Sequence, residues 1–275
     1  MFQLKRHFSF GGQSSAEFGL YLSKEPEYPL GKRKTEVFDI PGRNGKLHID
    51  QGCYEDITLN FDLLLQGDFT TGDQITEWLN QGKGKPMPLT VSCWPGITFL
   101  AIPETVGSLE YQLLNFHRAK LTFTCAPQKF LEAGMMPERY PLFPGQLTVQ
   151  SVQITNPGTE TAAPIFRIDT VSGRNIGEIW VSVFRNLDDG NTLESSIKIQ
   201  DFSGYIVIDT ETGHAYNDSG DMGTHVSYRA GEYAENPYSN LLLSPGVSEI
   251  RITRIDKDTS FDMDALTITG RWWHA

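Results

Sequence analysis

The stretch "DITLNFDLLLQ", residues 56–66, puts Ile57, Leu59, Phe61, Leu63 and Leu65 on one face and Thr58, Asn60 and Asp62 on the other. A period of two marks a half-buried strand, because successive side chains of an extended chain point to opposite sides. The pattern recurs in "AKLTFTCAP", where Ala119, Leu121, Phe123 and Cys125 align before Pro127, and in "SLEYQLL" with Leu109, Tyr111 and Leu113. Further on, "PIFRIDTV", "EIWVSVF", "SIKIQ", "GYIVID", "SEIRITRI" and "DALTITGRWW" are short runs rich in Ile, Val and Thr, separated by turn residues. Such spacing predicts a mainly β chain whose second half is a sandwich or jelly roll. Cys125 falls on the apolar face, where a thiol is structural rather than reactive.

One helix interrupts the strands. In "TTGDQITEWLNQGKGKP", Thr71 and Gln74 have the spacing of a capping box, and Ile75, Trp78 and Leu79 share a face at helical spacing. Gly82 supplies the expected stop, with Pro86 beyond. A helix of about three turns is too short to stand alone, so its apolar face should lie on a sheet.

"FDIPGRNGKLHID", residues 38–50, admits two readings. A phosphate-binding loop needs Gly, four residues, then Gly-Lys-Ser/Thr. Here Leu47 follows Gly45-Lys46, and Ile40 stands where the first glycine belongs, so the phosphate reading fails. Asn44-Gly45 instead suits the tip of a β-hairpin, in a type I′ turn with positive φ at both central residues. Val37, Phe38 and Ile40 precede it, and Leu47, His48 and Ile49 follow.

Residues 134–146, "GMMPERYPLFPGQ", carry three prolines and two glycines and read as a linker or crossover. The predicted organisation is 1–133, a linker at 134–146, and a second β domain at 147–275. Residues 217–235 read as a long polar loop. With 23 Lys and Arg against 34 Asp and Glu, the net charge of −11 argues against a dedicated nucleic-acid binder, which needs a basic face. Three widely separated cysteines form no CxxC, so neither a zinc knuckle nor a disulfide framework is expected, as in a chain made in a reducing compartment. The opening "MFQLKRHFSFGG" has no apolar run of signal-peptide length, and no stretch approaches about 20 apolar residues.

Catalytic and metal-binding motifs are incomplete in this sequence. Asp218-Ser219-Gly220 matches the tripeptide around aspartic-protease carboxylates, but no second copy exists to share the proton, so a loop turn is expected. Asp256, Asp258, Asp262 and Asp264 invite calcium, yet Phe261 and Thr267 occupy the positions where an EF-hand needs Gly and Glu. A solvated turn fits that cluster better. The six histidines form no HExxH, and there is no GxSxG. Trp272 and Trp273 could stack on a sugar, but adjacent strand residues face opposite ways, so at most one meets a given partner. No enzyme, cofactor or metal site is expected.

Taken in order, "FSFGGQSSAEFGLYLSK", "EVFDIPGRNGKLHID", "YEDITLNFDLLL", "DQITEWLNQGKG" and "HRAKLTFTCAPQKF" resemble the N-terminal domain of distal tail proteins, the Dit-type tail-tip hub proteins of long flexible-tailed bacteriophages (siphophages). "ITNPGTETAAPIFRID", "GYIVIDTETGHAY" and "LLLSPGVSEIRI" are similar to the galectin-like or carbohydrate-module-like β-sandwich of larger members. The resemblance implies an N-terminal β-sandwich with one short helix and a projecting hairpin "belt". It implies a homohexameric ring in which the belt grips the neighbour, with Val37, Phe38, Ile40, Arg43, Asn44, Lys46, Leu47 and Ile49 as oligomer contacts. Trp78 would sit on the helix face. The ring would join the tail tube protein to tail-tip, baseplate or receptor-binding proteins at the distal end of the virion tail, after assembly in the bacterial cytoplasm. DNA would pass through an acidic lumen without sticking. Two other readings remain open: a carbohydrate-binding module for cell-wall sugars, and a tail-associated hydrolase using the carboxylates between Asp256 and Asp264.

Overall fold

The computed structural model describes residues 6–66, 70–106, 110–113, 116–144, 148–172, 174–186, 192–228, 237–255 and 262–275. The chain divides into two compact units, Met1–Phe130 with Ala275, and Leu131–His274.

In the first unit the alternating run becomes the strand Ile57–Gln66, whose Ile57, Leu59, Phe61, Leu63 and Leu65 are all buried. It pairs along its length with Phe116–Cys125, with Phe61 opposite Leu121 and Leu59 opposite Phe123. The antiparallel order runs Gln13–Ser14, Phe8–Phe10, Met87–Val91, Ile97–Val106, Phe116–Cys125, Ile57–Gln66, Leu20–Leu22. Phe8 and Phe61 stand four strands apart in that order, which in a flat sheet means about 19 Å. Their ring centroids are 5.2 Å apart. The sheet therefore rolls over on itself, and the Leu22 N–H donates to the Arg6 carbonyl at 2.8 Å, tying one end to the other. Glu110–Leu113 adds a short strand to Phe116–Cys125, while Leu109 lies outside the described residues.

The helix Thr70–Leu79 buries Ile75, Trp78 and Leu79, the face its spacing predicts. Trp78 stacks on Phe18 and Phe8 with centroids 4.7 and 5.6 Å away, and its indole N–H donates to the Phe10 carbonyl at 3.0 Å. Two boundary details differ from expectation. The helix starts at Thr70, which places Thr71 within its first turn. The chain reverses at Lys83 (φ 48°) and Gly84 (φ 81°), after Gly82, with Lys83 N–H donating to the Asn80 carbonyl at 2.9 Å.

The second unit is a β-sandwich. One sheet runs Pro137–Pro141, Met263–Thr269, Ile165–Thr170, Tyr205–Asp209, His214–Asn217, Gly220–Asp221. The other runs Val149–Asn156, Gly246–Arg254, Asn175–Asn186, Thr192–Ser203, Val226–Tyr228. Phe166, Ile168, Ile206 and Leu266 from the first and Ile179, Val181, Ile199 and Ile250 from the second share one core, each fully buried. Alternation drives this packing as it does in the first unit, one face of each sheet inward.

Two expectations are corrected here. The described part of the expected linker, residues 134–144, does not separate the units, and residues 145–146 lie outside the described set: the division falls between Phe130 and Leu131, and Pro137–Pro141 is an edge strand in register with Met263–Thr269. Proline is tolerated there because an edge strand has one side of N–H groups with no ladder partner to lose. Gly134 serves close packing, since a Cβ on it would come within 2.4 Å of the Trp272 amide nitrogen. Nor are residues 217–235 one loop. Gly220–Asp221, a 3-10 turn at Gly223–His225 and the strand Val226–Tyr228 occupy the first part, anchored by buried Met222 and Val226, and residues 229–236 lie outside the described set.

A buried ion pair clasps one end of this sandwich. Arg271, itself at φ 50°, donates to both carboxylate oxygens of Asp209 at 2.8 and 3.1 Å. Burial alone would raise the Asp209 carboxyl, but the Arg271 hydrogen bonds and charge, with the Thr212 and Glu211 amides, hold it below the usual carboxylate range. A carboxylate favoured by folding stabilises the folded state above its ordinary pKa of about 4, and that contribution fades as pH falls through the lowered folded value.

Two stability measurements test this account. Trp78→Ala is expected to cost about 3–5 kcal/mol in urea unfolding, because it removes the ring on which Phe8 and Phe18 stack. Arg271→Ala is expected to cost about 3 kcal/mol at neutral pH by leaving Asp209 buried and unpaired. That second cost should shrink as the pH is lowered and Asp209 protonates. An Arg271→Ala penalty that stays constant down to acid pH would show that the pair contributes no charge-dependent stability.

Candidate interaction surface

The hairpin predicted from residues 38–50 is present and longer than expected. Arg33–Phe38 and Leu47–Tyr54 pair with each other and with no other described strand. Phe38 is opposite Leu47, Val37 opposite His48, Glu36 opposite Ile49 and Thr35 opposite Asp50. Cross-strand partners share a face and neighbours along a strand do not. Phe38, Leu47 and Ile49 therefore line one face, and Val37 lies on the other with His48. Val37, Phe38, Ile40 and Ile49 are 47%, 44%, 42% and 46% exposed. Few apolar side chains of this size are so open elsewhere in the unit, where Phe8, Phe10 and Phe99 are fully buried.

The arms are held by polar contacts. Lys32 meets Glu55 at 2.7 Å, Arg33 meets Asp50 at 3.2 Å, and the Arg33 guanidinium lies 4.8 Å from the Tyr54 ring centroid. Gln51 Nε2 donates to Glu36 Oε1 at 2.6 Å. Exposed pairs of this kind each contribute about 1 kcal/mol or less, so they set the register of the hairpin more than its stability. A two-stranded ribbon by itself is marginal in water, since it has no second layer to cover its apolar groups.

The tip differs from the prediction. The Ile40 carbonyl accepts from the Arg43 N–H at 3.1 Å, and Gly42 has φ 82°. This is a type II turn on Pro41-Gly42, with proline setting φ at the first central position and glycine supplying the positive φ at the second. Asn44 is not among the residues with positive φ, so no type I′ turn forms on Asn44-Gly45. Gly45 (φ 78°) instead gives a second bend in a loop over residues 39–46. Arg43, Asn44 and Lys46 are exposed on that loop, and Lys46 lies 3.7 Å from Asp39.

The remaining candidates resolve into structural roles. Asp262 pairs with Arg174 at 3.9 Å and Asp264 with Arg139 at 2.6 Å, while residues 256–261 lie outside the described set. Among the described residues no group of three His, Cys, Asp or Glu side chains is placed to hold a metal ion. Asp218-Ser219 is the tip of a tight hairpin in which Asn217 pairs with Gly220 and accepts from the Ser219 N–H at 2.8 Å. Trp272 is buried in the second core, whereas half-buried Trp273 donates from its indole to the Thr161 carbonyl at 3.1 Å. Burial, reinforced by the Asp56 charge, pushes the Cys125 thiol up to about 12, which leaves it protonated and inert.

No protein-family model and no curated protein sequence matches the chain. Solved structures do. The SPP1 Dit protein (gp 19.1), described as a paradigm of the hub adsorption apparatus in phages that infect Gram-positive bacteria, aligns with a TM-score of 0.63 at 15% identity. The alignment covers 96% of this chain and 97% of that one. Two matches to infectious bursal disease virus, strains Gt and Gx, have TM-scores of only 0.17 and 0.15 at 9% and 10% identity. Those scores are too low to indicate a common fold. From its rolled first sheet to its second-unit sandwich, the chain has the fold of the SPP1 Dit hub protein.

Proposed function

We propose that this chain is a non-enzymatic hub subunit of a phage tail, a distal tail protein that forms a six-membered ring by hairpin-mediated contact between neighbours. The observation that carries the reading is the shared fold with SPP1 Dit over almost the whole of both chains. The hairpin supplies a mechanism. Its Phe38–Leu47–Ile49 face has no second layer within its own sheet, so a partner surface stabilises it by removing that area from water. A head-to-tail contact offers every copy such a partner and closes into a ring when the rotation between neighbours divides a full turn. Arg43, Asn44 and Lys46 form a polar end for the contact, which suits a rim.

The acidic balance, −11 overall, agrees with a ring through which DNA slides and to which it does not adhere. The tail tube protein on one side and tip or receptor-binding proteins on the other would be the ring's partners at the distal end of the tail. Asp262 and Asp264 are each engaged by an arginine, which weighs against their use as a hydrolytic pair.

Negative-stain electron microscopy of the purified protein, alone and with tail partners, tests the reading. Rings are expected from the wild-type chain. Replacing residues 35–51 by a short Gly-Ser linker should leave a β-rich circular dichroism spectrum and abolish the six-membered particles. Phe38→Asp should weaken ring formation by at least tenfold in concentration, since a charge buried at the contact without a partner is costly. Rings formed by the hairpin-less protein would remove the hairpin from the assembly, and the absence of rings under every condition would overturn the proposal.

A further inference from the structure

Sheet edges are where chains add strands to one another, and folded proteins guard them with short strands, charges, prolines or bulges. Most edges of this molecule are guarded. Pro137–Pro141 has a proline at each end with Glu138 and Arg139 between. Gln13–Ser14, Leu20–Leu22, Gly220–Asp221 and Val226–Tyr228 are two or three residues long. The edge strand Val149–Asn156 is different. Its eight residues, VQSVQITN, contain no charge, no proline and no glycine, and they pair with Gly246–Arg254 without a register shift.

The direction of its free hydrogen-bonding groups can be read from one bond. Arg254 N–H donates to the Thr148 carbonyl at 2.8 Å, directly across the ladder. In an antiparallel pair, bonded and non-bonded positions alternate. The even-numbered residues therefore bond to Gly246–Arg254, and the odd-numbered ones aim their N–H and C=O outward. Val149, Ser151, Gln153 and Thr155 are those residues, all with exposed side chains, and none has a backbone partner on the outer side among the described residues. An open rail of this kind is about 25 Å long.

We infer that this edge pairs antiparallel with the same edge of a second copy, about a two-fold axis through Val152. The register is set by the strand itself. Outward-bonding residues must meet outward-bonding residues, so with the axis at Val152 the residue pairs are Val149 with Thr155 and Ser151 with Gln153. Each pair exchanges two hydrogen bonds, and every outward group of both copies is satisfied. All facing side chains are uncharged, so nothing opposes the approach. The two five-stranded sheets become one continuous sheet across the axis. A strand that ran without charge, proline or bulge and stayed uncovered would be an aggregation hazard, and pairing with its own copy closes it in a symmetric contact that goes no further. This contact is independent of the hairpin and is isologous, unlike the head-to-tail contact proposed for the ring.

Disulfide trapping in the full-length chain tests the axis. With Cys53, the exposed native cysteine, changed to Ser, Val152→Cys places two thiols opposite each other at a non-hydrogen-bonded pair. The Cα separation there is about 4.5 Å, within the range that a disulfide spans. Mild oxidation should link most of the protein into two-chain species on a non-reducing gel. Val149→Cys is the control: it is the more exposed residue, yet its symmetry mate lies about 20 Å away in this register, and it should not cross-link. Adding Ser151→Lys and Gln153→Lys, both on the exposed face, puts like charges across the axis and should reduce the Val152→Cys product at least tenfold while the circular dichroism spectrum is unchanged. No cross-link at Val152→Cys, or equal yields at both positions, overturns the pairing. Rings without the cross-link would leave the hub reading intact and sink this one, and a cross-link without rings would do the reverse.

Discussion

A sheet that rolls over on itself must fill the space it encloses, and in the first unit that filling depends on Trp78. Its ring stacks on Phe8 and Phe18, and Phe8 in turn lies against Phe61, four strands away in sheet order. The helix that carries it lays its apolar face, Ile75, Trp78 and Leu79, on this core. Anchoring the indole N–H to the Phe10 carbonyl fixes the helix along its length as well as its face. With the core closed in this way, the long strand Ile57–Gln66 and its partner Phe116–Cys125 form a rigid base, and the hairpin leads directly into that strand through Tyr54.

The two units deal differently with surface that their own cores cannot use. In the first, apolar side chains are concentrated on a ribbon with no second layer, so the unsatisfied surface is hydrophobic. In the second, the sandwich leaves a backbone edge open beside scattered exposed apolar side chains such as Met136, Phe143 and Val247. These call for different partners, because hydrophobic area is non-directional whereas a strand edge demands a register.

Much of this was legible in the residues. The strand Ile57–Gln66, the helix face Ile75–Trp78–Leu79 and the inward-facing Cys125 all follow from side-chain periodicity, which depends only on neighbours a few positions away, whereas Trp272 precedes the strand Trp273–His274 and both tryptophans pack against one core. The hairpin was legible too, as two apolar arms around a turn. Its tip was misread because Pro41-Gly42 and Asn44-Gly45 both have turn chemistry, and the chain uses the first for its hydrogen-bonded turn. The 134–146 segment was misread as a linker because proline and glycine mark loops and edge strands alike. Only the pairing of Pro137–Pro141 with Met263–Thr269, more than a hundred residues away, separates the two cases.

The sequence by itself thus determined which residues of the sandwich strands and the helix face inward, since alternation and helical spacing act locally. Tertiary structure alone decided which strands are neighbours, that Arg271 would reach Asp209, and that Phe38 and Ile49 would stay open while Phe8 and Phe10 closed. Phe8, Phe10, Phe38 and Ile49 are all attached to strands. Their fates diverge because burial depends on whether a second layer of chain arrives to cover a face, and for the hairpin none of the described strands does.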